Sequence, residues 1–308
     1  MAERNWKETI LPAYEVRKTR EQKTAFIRLL EEAYGDRLHV EEAKGGLKSR
    51  NIMIGDPEKA KRVYTAHYDT CARLPFPNFI TPLNIPVYIL YNIVLTLVLI
   101  VPIFLLTVLA AKLLRPLGEF TSFLGSEVTL IGLAIAEIAL LMAGPANPHT
   151  ANDNTSGVVT VLTLADRLDP EENAFILFDH EEVGLLGSSA YAKAHPVVRK
   201  STLIVNFDCV SDGDYLLFVC SDPASDAKAM LSERAQTVLG SRGKTAVVMG
   251  KKGVFYPSDQ AAFRKTVAVA ALKKGAVGLY MDRIHTKRDT AFDDGNIASL
   301  AELFAAWE

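Results

Sequence analysis

Two hydrophobic periods alternate along most of this chain. Short β-branched or aromatic runs at 62–66, 174–178, 202–207, 215–219, 245–249 and 267–272 predict strands. Between them the period lengthens to that of a helix. Residues 155–168 place Val158, Leu162, Ala165 and Leu168 on one face behind an Asn/Thr/Ser cap, and residues 296–307 do the same with Ile297, Leu300, Phe304 and Trp307. Strands and helices in this alternation predict an α/β fold: a mixed, mainly parallel sheet with helices on both faces.

A third regime interrupts that pattern. Residues 74–111 are 38 consecutive positions without Asp, Glu, Lys or Arg, and 86–111 are almost wholly apolar. A bilayer core of ~30 Å needs about 20 such residues as helix, so the run is long enough to span. After Lys112, Arg115 and Glu119 a second apolar run, 120–142, is broken only by Glu127 and Glu137. Gly132, Ala136, Ala139 and Ala143 form a stripe of small residues that predicts close packing of the two segments as a transmembrane-type helical hairpin. The competing expectation is a pair of core helices or an arm buried in a homo-oligomer. Glu137 favours it, because a charge near mid-bilayer costs roughly 3 kcal/mol. The predicted organisation is an α/β body of residues 1–73 and 147–308 carrying a hydrophobic insertion at 74–146.

Composition narrows the function classes. The 308 residues are 49% hydrophobic, with 34 Lys+Arg against 36 Asp+Glu and a net charge of −2. No basic stripe supplies the phosphate attraction of a nucleic-acid binder, so no nucleic-acid partner is expected. Cys71, Cys209 and Cys220 are odd in number and lack C-x-x-C spacing, which argues against a disulfide framework and for a reducing compartment. Residues 1–34 are charged throughout, unlike a signal peptide.

Chemistry concentrates where strands end. The run ending Thr65-Ala66 passes into His67-Tyr68-Asp69, that ending at Phe178 into Asp179-His180-Glu181-Glu182, and that ending at Phe207 into Asp208. Ligands of open α/β sheets bind at the carboxyl ends of strands, so these groups should converge in one crevice. That many carboxylates repel one another unless cations join them. Mixed His and carboxylate donors suit zinc best, with manganese or cobalt as substitutes.

These blocks resemble the co-catalytic di-zinc aminopeptidases of metallopeptidase family 28. The resemblance rests on 66–70 (Ala-His-Tyr-Asp-Thr), 151–158 (Ala-Asn-Asp-Asn-Thr-Ser-Gly-Val), 178–188 with its paired glutamates, 206–208, Ser258-Asp259 and 284–286, in that order. It implies a zinc exopeptidase-like fold and two divalent metal ions, with Asp153 bridging them. His67 and Asp208 would complete one metal position, and Glu182 and His285 the other. Glu181 would be the general base acting on a metal-bridging water, and Asp69 would orient and polarise His67. Asp289, four residues after His285, is a candidate for the analogous role, and Tyr256 for contact with the oxyanion or substrate. Asn154 and Ser156 are expected to tie the Asp153 loop to the following helix. His39, His149, His180 and His195 fall outside the matching positions.

The implied activity is that of a metal-dependent exopeptidase, an aminopeptidase acting on peptides. The alternatives are a single-zinc acyltransferase like glutaminyl cyclase, or a membrane scaffold that has lost catalysis. One departure stands out. Asp153 follows His67 by 86 positions, whereas a short loop separates them in ordinary members. The apolar hairpin is therefore inserted between two metal-bearing loops, and its base should lie beside the crevice. Lipid contact is expected through residues 86–143. With both ends of the hairpin joined to it, the catalytic body should lie wholly on one side, the cytoplasmic one, although Lys112 and Arg115 run against the positive-inside rule.

Overall fold

The computed structural model describes residues 4–43 and 48–307. Two helices, α1 (Trp6–Tyr14) and α2 (Arg20–Tyr34), lead into β1 (Leu38–Glu42), β2 (Arg50–Ile54) and β3 (Arg62–His67). The apolar segments form α3 (Ile85–Leu114) and α4 (Glu119–Ala143). After them come α5 (Gly157–Arg167), β4 (Asn173–Phe178), α6 (Leu186–Ala194), α7 (Pro196–Ser201) and β5 (Leu203–Phe207). The chain finishes with β6 (Tyr215–Cys220), α8 (Ser225–Gly240), β7 (Thr245–Gly250), β8 (Thr266–Gly275), β9 (Gly278–Tyr280) and α9 (Asp294–Ala305).

The sheet runs β1-β2-β4-β3-β5-β8-β6-β7, with β9 paired to β8. Its centre, β4-β3-β5-β8, is parallel, while β2 and β6 join it antiparallel. Central strands buried on both faces should read as unbroken apolar runs, and all six residues of β4 are buried. The strand period divides those residues between two cores. Phe175 and Leu177 join Tyr64, Phe207, Leu162 and Phe304 beneath α1, α2, α5, α8 and α9. Ala174, Ile176 and Phe178 join Val63, Tyr191 and Val198 beneath α6 and α7. Helices thus cover both faces, as the alternating pattern predicts. β1 and β2 escape the sequence reading because β1 is a half-exposed edge strand whose LHVEE sequence alternates weakly, and β2 opens on the polar pair Arg50-Asn51 and has only three apolar positions.

The hairpin stands apart. No residue of α3 or α4 is buried. Among the described residues, every exposed large hydrophobic side chain except Leu186, Val197 and Phe255 lies between 89 and 142. The core-helix expectation is therefore overturned: leaving such a side chain in water costs about 1.5–3 kcal/mol relative to burying it, and this body buries none of them. The small-residue expectation also needs correction. Gly132, Ala136, Ala139 and Ala143 are all exposed, and a Cβ at Gly132 would meet nothing within 4 Å. The half-buried side of α4 instead carries Ser122, Gly125, Ser126, Thr129, Leu133 and Glu137. Gly125 is the close-approach position, since a Cβ there would lie 2.0 Å from Leu114 Cδ1. The stripe lies on the face turned away from α3, because spacing fixes which residues share a side, not which side meets the neighbour.

Candidate metal centre

Strand register brings the acidic groups level. β3 pairs in parallel with β4 so that His67 faces Phe178, the last residue before the Asp179–Glu182 turn. On its other side Thr65 faces Asn206, which sets His67 level with Asp208. Asp153 arrives from the irregular turn 151–156 ahead of α5, and His285 from the loop after β9. His180 and His285 both adopt positive φ (56° and 62°), a conformation side chains seldom take, and at His180 it bends the chain so that Glu181 and Glu182 leave the strand direction.

Asp153 occupies the centre. Its Oδ1 lies 3.3 Å from His67 Nε2 and its Oδ2 lies 3.2 Å from His285 Nε2. His67 Nε2 is 3.6 Å from Asp208 Oδ1, and His285 Nε2 is 3.3 Å from Glu182 Oε2. One carboxylate thus faces two imidazoles, each of which faces a second carboxylate. Donor atoms of His67, Asp153 and Asp208 lie within 4.8 Å of one another, as do those of His67, Glu181 and Glu182. All five predicted ligands and Glu181 are brought together.

The electrostatics fit a cation-binding set. Burial, reinforced by Glu182, Asp208 and Asp259 and opposed by His67, pushes the Glu181 carboxyl well above its ordinary value. Burial likewise pushes Glu182 up to about 8, Asp259 to about 7 and Asp289 to about 8. Burial would raise Asp153 too, but its hydrogen bonds to His285 and His67 outweigh that and hold it below the carboxylate range. Burial would lower His285, yet Glu182 and Asp153 lift it to about 9. The protein's own charges leave this cluster short of positive charge. In particular Glu182 Oε1 is buried without a hydrogen-bond partner, a state that costs several kcal/mol for an ionised group unless a cation takes it up. Nitrogen and oxygen donors in this mixture suit zinc.

Two buried aspartates hold the ligand-bearing turns from behind. The Asp69 carboxylate accepts the backbone N–H groups of Glu181 at 3.0 Å and Glu182 at 3.3 Å. Its main-chain carbonyl, rather than its carboxylate, is the near partner of His67 Nδ1 at 3.0 Å, the carboxylate standing 3.7 Å away. Asp289 does not orient His285 as its spacing suggested. Its two oxygens accept the N–H groups of Asn152 at 2.9 Å and Asp153 at 3.0 Å. Spacing of two or four residues identified both aspartates, but the groups they hold lie more than a hundred residues away and follow only from the fold.

The remaining candidates sort clearly. Asn154 Oδ1 accepts from Gly157 N at 3.0 Å and Cys209 N at 3.2 Å, and Ser156 Oγ accepts from Val210 N at 3.0 Å, tying the Asp153 turn to α5 and to the exit of β5. Gly157 must lack a side chain, since a Cβ would lie 2.4 Å from Phe207 O. Tyr256 donates its hydroxyl to Asp208 O at 2.9 Å, which puts it beside the cluster with its proton committed to main chain. His180 bonds Ser49 through Nδ1, His195 is held by Glu41 and Glu58, and His149 lies 3.8 Å from Glu15. Two residues at the site were missed. Asp259 is fully buried and interacts electrostatically with Glu181, His67 and Asp208. Cys71 offers its sulfur within 4.8 Å of Glu182 and His285. Asp259 stands in one of the matching blocks, whereas nothing in the sequence pointed to Cys71.

The hairpin's stem reaches this centre. Leu74 N donates to His285 O at 2.8 Å, Arg73 N to Pro145 O at 2.8 Å, and Asn147 N to Cys71 O at 3.1 Å. Farther along, Ile80 pairs with Met281, and Tyr88 in the first turn of α3 packs on Phe255 with ring centroids 5.0 Å apart.

The family model described as "Peptidase family M28" matches residues 138–307. Comparison with curated proteins finds no match. Among solved structures, glutaminyl cyclase of Porphyromonas gingivalis aligns with a TM-score of 0.58 at 14% identity, covering 98% of this chain and 94% of that one. The LapA aminopeptidase of Legionella pneumophila aligns at 0.53 and 14%, covering 98% and 68%. Glutaminyl cyclase of Fimbriiglobus ruber aligns at 0.56 and 16%, covering 98% and 92%. At these identities the likeness concerns the fold.

Proposed function

The chain belongs to peptidase family M28, and on that premise we propose that it is a membrane-anchored, metal-dependent exopeptidase, an aminopeptidase that hydrolyses N-terminal residues from peptides. The observation that carries the reading is the Asp153 carboxylate set between His67 Nε2 and His285 Nε2 at 3.3 and 3.2 Å. His67, Asp153 and Asp208 would hold one zinc ion, and Asp153, Glu182 and His285 a second. When bound, such ions polarise a scissile carbonyl and make water acidic enough to be deprotonated near neutral pH.

The chain's own residues do the rest. Glu181 takes the proton of the attacking water on its carboxylate and returns it to the leaving amine. A Glu181 carboxylate oxygen lies within 4.8 Å of donor atoms of His67 and Glu182, close enough to the proposed ions to serve both transfers. Asp69 keeps the Glu181–Glu182 turn in place through two N–H groups, and Asp289 does the same for Asp153.

α3 and α4 are long and apolar enough to cross a membrane, and their exposure favours lipid contact over residues 86–143. Lys18 Nζ donates to Met142 O at the hairpin base and shares a cavity of about 300 Å³ with Arg20, Lys48 and Arg50. Both ends of the hairpin join the catalytic body, which puts that body wholly on one side, here proposed as the cytoplasmic one, with Lys112 and Arg115 in the far turn running against the positive-inside rule.

Metal analysis of the purified full chain, with a panel of free and N-terminally blocked peptides, tests the reading. Two ions per chain and hydrolysis of free N-termini only are expected. One ion with cyclisation of N-terminal glutamine would favour the cyclase alternative, cleavage at C-termini a carboxypeptidase, and no turnover a scaffold.

A further inference from the structure

The stem of the hairpin delivers a sulfur atom to the metal centre. Cys71 lies four residues after His67, where the chain leaves β3 for the insertion, and its carbonyl is pinned by Asn147 N at 3.1 Å on the returning strand of the stem. The side chain is 2% exposed. Its Sγ, a Glu182 oxygen and a His285 imidazole nitrogen all lie within 4.8 Å of one another. A buried cysteine alone would be an inert apolar residue. Here a second observation points into the same space: Glu182, with a side chain 7% exposed, directs Oε2 at His285 and leaves Oε1 buried with no hydrogen-bond partner. A carboxyl oxygen without a partner, an imidazole and a sulfur facing one another, with the Asp153 carboxylate beside them, make a donor set for zinc, an ion that also accepts a fifth ligand such as water or substrate.

We propose that Cys71 is a direct thiolate ligand of the ion held by Glu182 and His285. This rests on the metal-centre reading given above and goes beyond it. The thiol loses its proton to solvent as the sulfur–metal bond forms, and no oxidation state changes. The two metal positions then differ in kind. His67 and Asp208 offer only nitrogen and oxygen, whereas the Cys71 position carries a soft donor that selects zinc over manganese or magnesium. Because Cys71 belongs to the stem, the same ion also clamps the hairpin to the catalytic body.

Cobalt(II) substitution of the full chain gives a direct readout. The native protein should show a near-ultraviolet sulfur-to-cobalt charge-transfer band beside the visible d–d bands. The charge-transfer band should vanish in Cys71→Ser and persist in Cys209→Ser, whose sulfur instead bonds Asp208. Cys71→Ser should also weaken one of the two zinc ions by at least about tenfold, the scale on which outer-shell changes already act. Should Cys71→Ser fail to fold, X-ray absorption of zinc-loaded Cys209→Ser protein answers the same question through a sulfur neighbour at ~2.3 Å. Cobalt bound with d–d bands alone, a band that survives in Cys71→Ser, or zinc without sulfur each overturns the thiolate while leaving the metal centre standing. A chain that takes up neither metal overturns both.

Discussion

Asp69 accepts the backbone N–H of Glu181 at 3.0 Å through a carboxylate that is nearly inaccessible to solvent, so the residue expected to tune a histidine also fixes the proposed general base. Replacing it should act on geometry rather than on metal supply. Asp69→Ala is expected to retain its zinc and lose about 10–100-fold in kcat/KM, the usual cost of removing a group that orients the site. Peptidase assays alongside metal analysis check this, and a variant that loses metal and activity together would assign Asp69 to metal retention.

Glu181 carries the sharpest prediction. Glu181→Gln preserves shape and leaves the five proposed ligands untouched, so two ions should remain while turnover falls by about 10²–10⁴-fold. Activity at the native level would remove Glu181 from the reaction.

The Lys23–Asp179 pair tests stability instead of catalysis. Their side chains are 6% and 1% exposed, and Asp179 also accepts Arg50 N at 3.0 Å where the strand turns towards Glu181. Lys23→Met strands a buried carboxylate, which should cost about 3–5 kcal/mol in denaturant unfolding. Adding Asp179→Asn should recover part of that loss, because the second change removes the orphaned charge.

His195 predicts a pH dependence remote from the site. Burial alone would lower its pKa, but Glu58 at 2.8 Å and Glu41 at 2.8 Å outweigh burial and raise it. A raised folded-state value means that the imidazolium's contribution is complete below the ordinary histidine value and is lost as pH rises through the folded one. Thermal midpoints measured across that window should fall with pH in the native chain and stay flatter in His195→Gln.

The hairpin can be removed in two ways with opposite outcomes. Residues 74–84 belong to the body in their contacts: Leu74 N bonds His285 O, Ile80 pairs with Met281 and Thr81 is buried. Replacing 86–143 by a short flexible linker should release the protein from the membrane fraction with its peptidase activity intact. Excising 74–146 should release it as well, yet abolish activity by freeing the His285 loop. Fractionation with assays on both deletions checks the pair, and a 86–143 deletion that stays with the membrane would refute the anchor.

Much of this architecture was readable from residue order because the relevant signals are local. Whether a run is apolar at period two, at the helical period or without interruption depends on neighbours within a few turns, so β3 to β8, α5, α9 and the two long apolar helices follow from the chain itself. So do the chemical types gathered where strands end, since His67, Glu181, Glu182 and Asp208 follow apolar runs directly. Partners distant in sequence were decided by packing alone: the turning of Gly132 and Ala136 away from α3, the backbone groups held by Asp69 and Asp289, the burial of Asp259 beside Glu181, and the arrival of Cys71 at Glu182 and His285. Periodicity fixes which side chains share a face, but only the closed fold, in which each buried polar atom must find a partner, decides what that face meets.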